Sequence, residues 1–391
     1  MDIQSFGESP VGKLVPIRGT DGRTGVEYEH FAFLPEPLPE EVLLSARTQV
    51  LVAEASTALG RLDAASAQVP NPSLLRRPAI RREAQSTSAL EGTYAPFAEV
   101  LGADENPSTP RVGNIKEVLN YVEIAELAFD HIKENPITTS LLKMLQGKLV
   151  EGTPGETSDS GDIRDRQVII GPEGAPIAES RFVPPPPDDR LRSGVDQWEY
   201  WIAEDHPLLP PVVQAALAHY QFEALHPFSD GNGRLGRLVI VLQFCRLGVL
   251  QDGLLTVSPW FERRRREYQD HLLEVSRTGD WDPWVAFFAT GLRDQARTTS
   301  TQVLDLLALS AEFKETARDR KWTGFTTTLL DELVGYPVVQ VQALADRHGV
   351  TFVTANRAVA RLQEAGILRE ITGKSYGRLF VASAVYDVVS R

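Results

Sequence analysis

The chain has 391 residues, of which 42% are apolar and 24% are charged, and its formal net charge is −13. This length suggests roughly two or three domains, and the ordinary composition excludes a disordered, collagen-like or coiled-coil chain. The acidic balance argues against a general nucleic-acid binder that relies on net charge. The single cysteine, Cys245, excludes an internal disulfide framework and a CxxC zinc site.

The sequence carries no signal that favours export or membrane insertion. The first residues, MDIQSFGESP, lack the basic region and apolar run of a signal peptide. The most apolar stretch, residues 235–250, is interrupted by Arg237, Gln243 and Arg246, so it predicts a buried core helix rather than a membrane span. We therefore expect a cytoplasmic protein without membrane contact.

Apolar residues recur at helical spacing along most of the chain. Residues 1–38 are polar and rich in proline and glycine, so we expect them to lie over a neighbouring surface. Helices are predicted at 40–67, at 78–90, through Tyr121 and Leu127, from Pro136 onward, at 195–203 and at 211–225. Gly92 is expected to stop the second of these helices, at 78–90.

Two segments in the middle of the chain interrupt this helical pattern. Residues 151–166 show no helical period, and long loops inside compact domains are more often functional than idle. Residues 168–171 and 181–183 are short β-like runs on either side of a polar turn, which predicts a short hairpin.

Residues 337–391 differ from the rest in charge. They hold seven basic and four acidic residues, a net charge of +3. A helix at 341–348, a short turn, a helix at 354–365 and two β-like runs around Gly373 predict a helix-turn-helix with a wing. The second helix would direct Arg357 and Arg361 toward DNA, although many such domains bind proteins instead.

A dense motif lies between two helical patterns, where residues 226–237 read HPFSDGNGRLGR. Its glycines let the backbone approach an anion closely. The loop opens a helix, whose free N–H groups favour phosphate. Arg234 and Arg237 are three positions apart on one helix face, and both can grip phosphate oxygens. The motif therefore predicts a phosphate site.

Two further motif residues supply proton and metal chemistry. Asp230 is a hard oxygen ligand that suits Mg²⁺ beside phosphates. His226 is the proton acceptor that a hydroxyl nucleophile needs. Each feature alone is common in helix caps and loops, but all of them within one short segment favour a functional site.

The motif resembles HPFxDGNGRxxR, the signature of the Fic (filamentation induced by cAMP) family, at every fixed position. The lead-in FEALHPF is similar to that of the family, and residues 71–93 resemble its N-terminal region. Residues 161–164, 168–171 and 182–185 resemble its substrate-docking flap. The resemblance covers nearly the whole chain, and it implies transfer of AMP from ATP to a Ser, Thr or Tyr hydroxyl of a protein.

The resemblance also implies a role for each motif residue. His226 would take the hydroxyl proton, and Asp230 would hold Mg²⁺ (or Mn²⁺) between the α- and β-phosphates. Arg234 would bind the β-phosphate region and Arg237 the γ-phosphate. The anion cradle would consist of Gly231, Asn232 and Gly233. The target-docking flap would use Val168, Ile169 and Ile170. The GNGR form argues against the degenerate relatives that phosphorylate.

A second match has a regulatory meaning. Thr87, Glu91 and Gly92 fit the family's inhibitory pattern [ST]xxxE[GN]. Thr87 and Glu91 are four positions apart, so they lie on one helix face. By resemblance, Glu91 would pair with Arg237 and occupy the γ-phosphate site. Without the Fic resemblance, the same residues would be a solvated glutamate before a glycine stop.

The nucleobase site follows the family less closely. The family's run Ser-x-Tyr-Phe-Glu-x-Asn-Arg-x-x-Tyr-Tyr is matched here by SPWFERRRREYQ at 258–269. Tyr268 is expected to contact the base, while Arg264 replaces the Asn and Gln269 the second Tyr. These departures leave the preference for ATP over other nucleotides open.

Two other patterns are set aside. His219, Glu223 and His226 lack the HExxH spacing of a zinc site. Gly373-Lys374-Ser375 lacks the earlier glycine of a P-loop and fits a wing turn instead.

The sequence predicts a mainly α protein with a Fic helical core, a small β-hairpin flap and a C-terminal winged-helix domain. The expected division is an N-terminal helical region with the inhibitory helix at 1–112, a Fic catalytic core at 113–300, and a linker helix with the winged helix-turn-helix at 301–391.

The expected function is that of a self-inhibited protein adenylyltransferase that uses Mg-ATP and modifies a target protein and itself. One alternative is AMP removal, with Glu91 orienting a water, and the other is a DNA-binding regulator with autoregulatory Fic activity. The expected partners are ATP and a protein with a hydroxyl side chain. DNA or protein contact through the winged helix and a homodimer are further candidates.

Overall fold

Helices make up most of the protein, as the spacing of apolar residues predicts. The computed structural model describes residues 1–20, 25–68, 71–105, 113–172, 174–373 and 376–391. Within these ranges the helices are α1 (Ala46–Ser66), α2 (Pro72–Leu90), α3 (Phe97–Gly102), α4 (Asn114–His131), α5 (Thr139–Val150), α6 (Asp189–Ala203), α7 (Pro211–Leu225), α8 (Asn232–Arg246), α9 (Ser258–Glu262), α10 (Arg265–Thr278), α11 (Trp281–Asp319), α12 (Phe325–Glu332), α13 (Val341–His348), α14 (Phe352–Glu364) and α15 (Ser383–Val389). The strands are β1 (Gly12–Thr20), β2 (Glu27–Pro35), β3 (Val338–Gln340), β4 (Leu368–Glu370) and β5 (Leu379–Ala382). Single turns of 3-10 helix lie at Ile3–Phe6, Ala103–Glu105 and Ile177–Glu179.

The central pair of helices is α7 and α8, which flank the motif. Both are buried over almost their whole length. A helix that is apolar on nearly all sides belongs in the middle of a protein rather than on its surface. The pair is tightly packed at Gly236, where a Cβ would lie 2.9 Å from Glu223 Oε1 and 3.1 Å from Phe222 Cδ1. The predicted core helix is confirmed, and it is α8.

The described residues include no helix that has both the length and the apolar content to cross a membrane.

The longest helix, α11, spans 39 residues and packs along α1. It begins with Asp280 as its N-cap, whose side chain accepts a hydrogen bond from the N–H of Asp282 at 3.1 Å. The helix passes without interruption through position 300, where the sequence places a domain division. That division stays a prediction.

Helix α2 begins at Pro72 rather than at Pro78, where the sequence predicts its start. Proline is favoured in the first turn, because its missing N–H has no partner there anyway. The helix then continues through Pro78 to Leu90. Gly92 follows with φ 95° and donates its N–H to the carbonyl of Ala89 at 3.0 Å. The predicted glycine stop is confirmed.

The N-terminal segment is the main correction to the sequence prediction. Residues 1–38 do not simply lie over a neighbour, because β1 and β2 pair as an antiparallel hairpin. Phe33 of β2 is fully buried, with its ring 5.5 Å from that of Phe6 and 5.7 Å from that of Phe182. Its N–H donates to the carbonyl of Val183 at 2.8 Å. The hairpin is therefore part of the core.

The C-terminal segment has the predicted order of elements. After α12 come β3, α13, α14, β4, β5 and α15, and the three strands form an antiparallel sheet in the order β3-β5-β4. Helix α13 has the predicted bounds, and α14 begins at Phe352 rather than Thr354 because Thr351 caps it. Lys374 and Ser375 of the predicted wing turn lie outside the described residues. Contact with DNA stays a prediction.

The C-terminal segment packs against the N-terminal helices through charged and aromatic groups. The ring of Tyr336 lies between two guanidinium groups, 4.0 Å from that of Arg77 on α2 and 4.2 Å from that of Arg347 on α13. Arg347 also donates to Glu105 Oε1 at 2.9 Å, and Glu105 Oε2 accepts from the N–H of Gln340 at the same distance. These bonds satisfy the buried Glu105 carboxylate.

A buried carboxylate fixes α2 to the start of α9. Glu83 Oε2 accepts hydrogen bonds from the N–H groups of Val257 at 2.8 Å and Ser258 at 3.0 Å, and the Ser258 hydroxyl binds Oε1. Burial raises the pKa of Glu83 above its ordinary value, and the bonds from Ser258 oppose this shift. The carboxylate serves as the acceptor for two buried backbone donors.

Glu83→Ala should lower the free energy of unfolding by about 2–3 kcal/mol, because it leaves those buried N–H groups without an acceptor. Glu83→Gln should cost less, since the amide keeps one oxygen in place. Denaturant unfolding of both variants measures the difference, with Glu99→Ala at an exposed position of α3 as the control. A Glu83→Ala protein as stable as the parent would contradict this assignment.

Candidate functional site

The motif forms the loop between α7 and α8. His226 closes α7 in the left-handed conformation, with φ 49° and ψ 61°, and its N–H donates to the carbonyl of Phe222 at 2.9 Å. Gly231, with φ 85°, directly precedes α8. The Asn232 side chain accepts from the Phe228 N–H at 2.9 Å and donates to the Phe228 carbonyl at 2.8 Å. Asn232 therefore holds the loop closed with its side chain.

His226 has the properties of a proton acceptor. Its side chain is half-buried, and Nδ1 has no hydrogen-bond partner among the residues that the structure describes. Burial lowers the pKa of His226 to about 4, and the nearby charge of Arg164 adds to this effect. The imidazole is consequently neutral at pH 7, with a lone pair available for a proton.

Arg234 is buried between two carboxylates. Its Nη2 donates to Asp230 Oδ1 at 2.8 Å, and its Nη1 donates to Glu117 Oε2 at 3.3 Å. Glu117, in the first turn of α4, also accepts from Thr93 Oγ1 at 2.8 Å. Glu117 lies outside the motif, and the sequence did not point to it. It connects Arg234 to the segment that directly follows Gly92.

The carboxylate of Asp230 fits a hard divalent cation. Its side chain is 40% exposed, and Oδ1 is bound by Arg234. Mg²⁺ is usually held by one or two carboxylates together with substrate phosphates, rather than by a cage of protein ligands. A single carboxylate before a helix N-terminus therefore fits a metal that arrives with phosphate oxygens.

Arg237 is almost completely buried and is bound from the end of α2. Its Nε donates to Thr87 Oγ1 at 2.7 Å, and its Nη2 donates to the Thr87 carbonyl at 3.1 Å and to Glu91 Oε1 at 2.5 Å. The structure thus brings together the three residues that the sequence connected. Their inhibitory role is a separate matter and stays a prediction.

The two partners of this ion pair are unequally exposed. The side chain of Arg237 is 2% exposed, whereas that of Glu91 is 40% exposed. Desolvation opposes ionisation of Glu91, but the charge of Arg237 and its hydrogen bond keep the pKa of Glu91 below its ordinary value. The carboxylate is therefore ionised at neutral pH.

Glu91 also lies directly over the predicted anion cradle. A Cβ on Gly233 would overlap Glu91 Oε1, and it would lie 2.9 Å from Arg237 Nη1. Only glycine leaves room for an acidic group at this point on the first turn of α8. The cradle in this structure holds a carboxylate of the protein itself.

A cavity of about 390 Å³ extends from this ion pair toward α10. Tyr268 lines it, but the Tyr268 hydroxyl is hydrogen-bonded to His219 Nε2 at 2.7 Å. Gln269 lines it too, while the guanidinium of Arg264 lies 4.2 Å from the ring of Trp260. The cavity wall includes Glu91, Ile170, Phe182, Tyr220, Glu223, His226, Gly233, Arg237, Arg265 and Leu273.

The predicted flap is shorter than a regular hairpin. Ile170 and Phe182 form a single antiparallel bridge, with the Ile170 N–H donating to the Phe182 carbonyl at 2.9 Å. Val168 and Ile169 precede this bridge and are half-buried. The segment closes one side of the cavity, because Ile170 and Phe182 both line it.

Two residues of the loop at 151–166 hold the motif from outside. Asp159 was not assigned a role from the sequence, whereas Arg164 belongs to residues 161–164, which were expected to be part of the flap. The Asp159 carboxylate accepts from the Ser229 hydroxyl at 2.6 Å and from Arg166 Nη2 at 2.8 Å. Although burial opposes ionisation, hydrogen bonds from Ser229, Thr157 and Arg166 lower the pKa of Asp159 to about 2. Arg164 donates to the His226 carbonyl at 2.8 Å. The loop's lack of helical period indicated a functional segment from the sequence, but not these particular contacts.

Together these elements define a mainly helical protein with a glycine-rich loop between two buried helices and a histidine at the edge of that loop. Comparison with protein families identifies residues 50–130 as the Fic/DOC family N-terminal region and residues 136–244 as the Fic/DOC family region. The chain therefore contains an N-terminal region and a second region that match the Fic/DOC family.

The chain is similar to curated proteins of this family over part of its length. Protein adenylyltransferase Fic of Drosophila virilis is 35% identical over 132 residues, which are 34% of this chain and 24% of that protein. Protein adenylyltransferase Fic of Culex quinquefasciatus is 35% identical over 136 residues, which are 34% of this chain and 23% of that protein. The matched part thus spans about a quarter of the length of these relatives.

Solved structures share the fold over a larger part of the chain. A Fic family protein from Desulfovibrio desulfuricans G20 superposes with a TM-score of 0.54 at 20% identity, covering 88% of this chain and 98% of that one. Fic-1 (residues 134–508) from C. elegans superposes with a TM-score of 0.50 at 18% identity, covering 67% and 74%. These likenesses support the fold class that the sequence predicts.

Proposed function

We propose that the protein is a self-inhibited protein adenylyltransferase, which transfers AMP from ATP to a hydroxyl group of a target protein and of itself. The observation that carries this proposal is the Glu91 carboxylate, which binds Arg237 at 2.5 Å directly over Gly233. A buried arginine that holds a carboxylate beside a helix N-terminus offers the same donor to a phosphate. The similarity to proteins named protein adenylyltransferase Fic supports ATP as the nucleotide.

In the proposed reaction the hydroxyl oxygen of the target attacks the α-phosphorus of ATP. A new bond forms between that oxygen and phosphorus, the bond from the α-phosphorus to the oxygen that bridges to the β-phosphorus breaks, and pyrophosphate leaves. His226 takes the hydroxyl proton on its ring, because it is neutral at pH 7. The protein contributes position and charge neutralisation, since the phosphorus centre is itself the electrophile.

The remaining motif residues bind the polyphosphate. Arg237 would bind the γ-phosphate once Glu91 has left, and Arg234 would bind the region of the β-phosphate. The first turn of α8, with Gly231, Asn232 and Gly233, would direct its free N–H groups at phosphate oxygens. Asp230 would hold Mg²⁺ or Mn²⁺, which neutralises phosphate charge when it is bound. Tyr268 and Gln269 would form the wall next to the nucleobase.

His226→Ala should lower the rate of AMP transfer roughly 10²–10⁴-fold, because general base catalysis contributes about that much. ATP affinity should stay within about threefold of the parent's, because the phosphate donors belong to α8 and not to His226. Label transfer from α-labelled ATP and calorimetric ATP binding measure the two quantities, with His131→Ala on α4 as the matched control. A parallel loss of binding and rate would contradict the base assignment.

Asp230→Ala should abolish transfer together with its dependence on divalent metal, because the motif offers no other carboxylate. Titrating Mg²⁺ and Mn²⁺ against the rate of transfer tests this, with Asp165→Ala, an exposed carboxylate of the neighbouring loop, as the control. A parent protein that transfers AMP at full rate in excess chelator would exclude the metal role.

The flap is proposed to dock the target protein. Extended peptides add to exposed strand edges by main-chain hydrogen bonding. Val168 and Ile169 lead into the bridge at Ile170, and Ile170 lines the same cavity as His226.

Proline at position 169 removes one main-chain donor from this edge. Ile169→Pro should therefore reduce modification of protein targets by tenfold or more while nucleotide affinity is retained. Ile169→Val keeps the main-chain donor and serves as the matched control. Both variants are compared by labelled AMP transfer and by ATP binding, and equal target modification by the two would remove the flap from the model.

Inhibition is proposed to result from competition between Glu91 and the γ-phosphate for Arg237. The arginine is buried, and its Nε and Nη2 donate to Thr87 and Glu91, so these donors are not available to another anion while the bonds remain. Removing one partner of an ion pair has a larger free-energy effect in an enclosed site than in an exposed salt bridge.

Glu91→Gly should raise AMP transfer, including self-modification, by about tenfold or more, equivalent to about 1.4 kcal/mol of transition-state stabilisation. Glu91→Gln keeps the size of the side chain without its charge and should give a smaller rise. Adding Arg237→Ala to Glu91→Gly should reverse the gain. Initial rates with α-labelled ATP test all three variants, and an unchanged rate in Glu91→Gly would mean that this contact is not a brake.

AMP removal is the alternative that the same glutamate permits, with Glu91 orienting a water. In that case Glu91→Gly would lose the removal of AMP from a modified protein, whereas the proposal above requires only a gain in transfer. Incubating premodified target with the parent and with Glu91→Gly separates the two activities.

A further inference from the structure

Arg164 is a buried cation whose side chain is devoted to backbone carbonyl groups. It has no exposed surface. Its Nε donates to the carbonyl of His226 at 2.8 Å, and its Nη2 donates to the carbonyls of Pro185 at 2.6 Å and Leu225 at 3.5 Å. Its Nη1 donates to the carbonyl of Arg166 at 3.0 Å. None of these four acceptors is a carboxylate.

A guanidinium in this position is costly to the fold. A buried charge is normally paired with an opposite charge, because carbonyl dipoles replace water only in part. Burial lowers the pKa of Arg164 to about 10, and the charge of Asp159 opposes this shift. The carbonyls that Arg164 binds come from separate parts of the chain, namely the end of α7, the expected flap at Pro185 and the loop at Arg166.

The bonds of Arg164 converge on the turn that presents His226. His226 has φ 49°, a conformation that residues other than glycine rarely adopt without support from their surroundings. The Arg164 side chain holds the carbonyls of Leu225 and His226, and its own N–H donates to the carbonyl of Pro227 at 3.0 Å. Three consecutive peptide groups are therefore bound to one residue.

We infer that Arg164 is a positioning residue for His226: its guanidinium and backbone N–H hold the carbonyls of residues 225–227 and so fix the left-handed turn that aims the imidazole. This inference rests on the proposed role of His226 as the base. Arg164 acts through His226 and is not itself in contact with the reacting atoms.

The charge of Arg164 has a second effect on the same imidazole. After burial, it is the largest influence that lowers the pKa of His226. Glu91, at the end of α2, acts in the opposite direction, and a hydrogen bond from the imidazole to the backbone of Glu223 on α7 also raises this pKa. Of Arg164, Glu91 and the backbone of Glu223, only Arg164 still acts on the His226 imidazole through a charge in a Glu91→Gly background.

Two substitutions of Arg164 separate geometry from charge, and both are made in Glu91→Gly so that transfer is measurable. Arg164→Lys keeps the positive charge but cannot reach four carbonyls, whereas Arg164→Met loses charge and bonds. Both should lower kcat by tenfold or more, because misplacing a reacting group by about 1 Å can cost on the order of 10²-fold. The KM for ATP should stay within about threefold of its value in Glu91→Gly.

The pH profile distinguishes the two variants. Removing a nearby positive charge raises the pKa of His226, so the acid limb of kcat should move to higher pH in Arg164→Met and stay in place in Arg164→Lys. Arg293→Lys on α11, where the arginine binds Glu54 at 2.8 Å, is the matched control for loss of an arginine and should keep kcat.

The outcomes separate this inference from the proposed function. If Glu91→Gly itself transfers no AMP, the proposed function fails. If it is active and both Arg164 variants keep kcat within twofold, or lose ATP affinity in step with kcat, the positioning role is overturned. Loss of the cooperative thermal transition in both variants would assign Arg164 to the fold alone and also overturn the role. If only Arg164→Met fails to fold, the kcat and KM of Arg164→Lys decide.

Discussion

The rest of the site depends on the burial of Arg237. A guanidinium that is 2% exposed needs an anion or a set of acceptors within reach, because water cannot solvate it. The end of α2 supplies these groups, through the side chain and carbonyl of Thr87 and the carboxylate of Glu91. Phosphate would meet the same requirement, so the ligand and the protein's own glutamate are chemically alternative solutions to one electrostatic demand.

Other side chains of the motif loop are likewise bound by acidic residues. Arg234 is held by Asp230 within the motif and by Glu117 from α4, while Asp159 binds the hydroxyl of Ser229. Arg234 and Ser229 therefore each have a partner from a distant part of the chain. These partners add to the bonds by which Asn232 closes the loop from within.

The parts that were predictable from sequence are those in which the signal is local. The twelve residues of the motif are contiguous. Thr87 and Glu91 are four positions apart, which is the spacing of one helix face. The motif and this pair could therefore be identified without knowledge of the fold. Glu117 and Arg164 could not be assigned roles in this way, since they are 117 and 62 positions from the motif groups that they bind. The N-terminal hairpin was missed because proline and glycine obscure the alternation around Phe33, whose burial depends on Phe6 and Phe182.

Helix α2 has a mechanical consequence for the molecule. Arg77 near its beginning lies over the ring of Tyr336, and Glu91 at its end lies over Gly233. A helix rises about 1.5 Å per residue, so these two points are roughly 20 Å apart on one stiff rod. Because the rod is stiff, a tilt at the Tyr336 end would move Glu91 away from Gly233, so the contact between α2 and the C-terminal segment bears on the cavity beside Arg237.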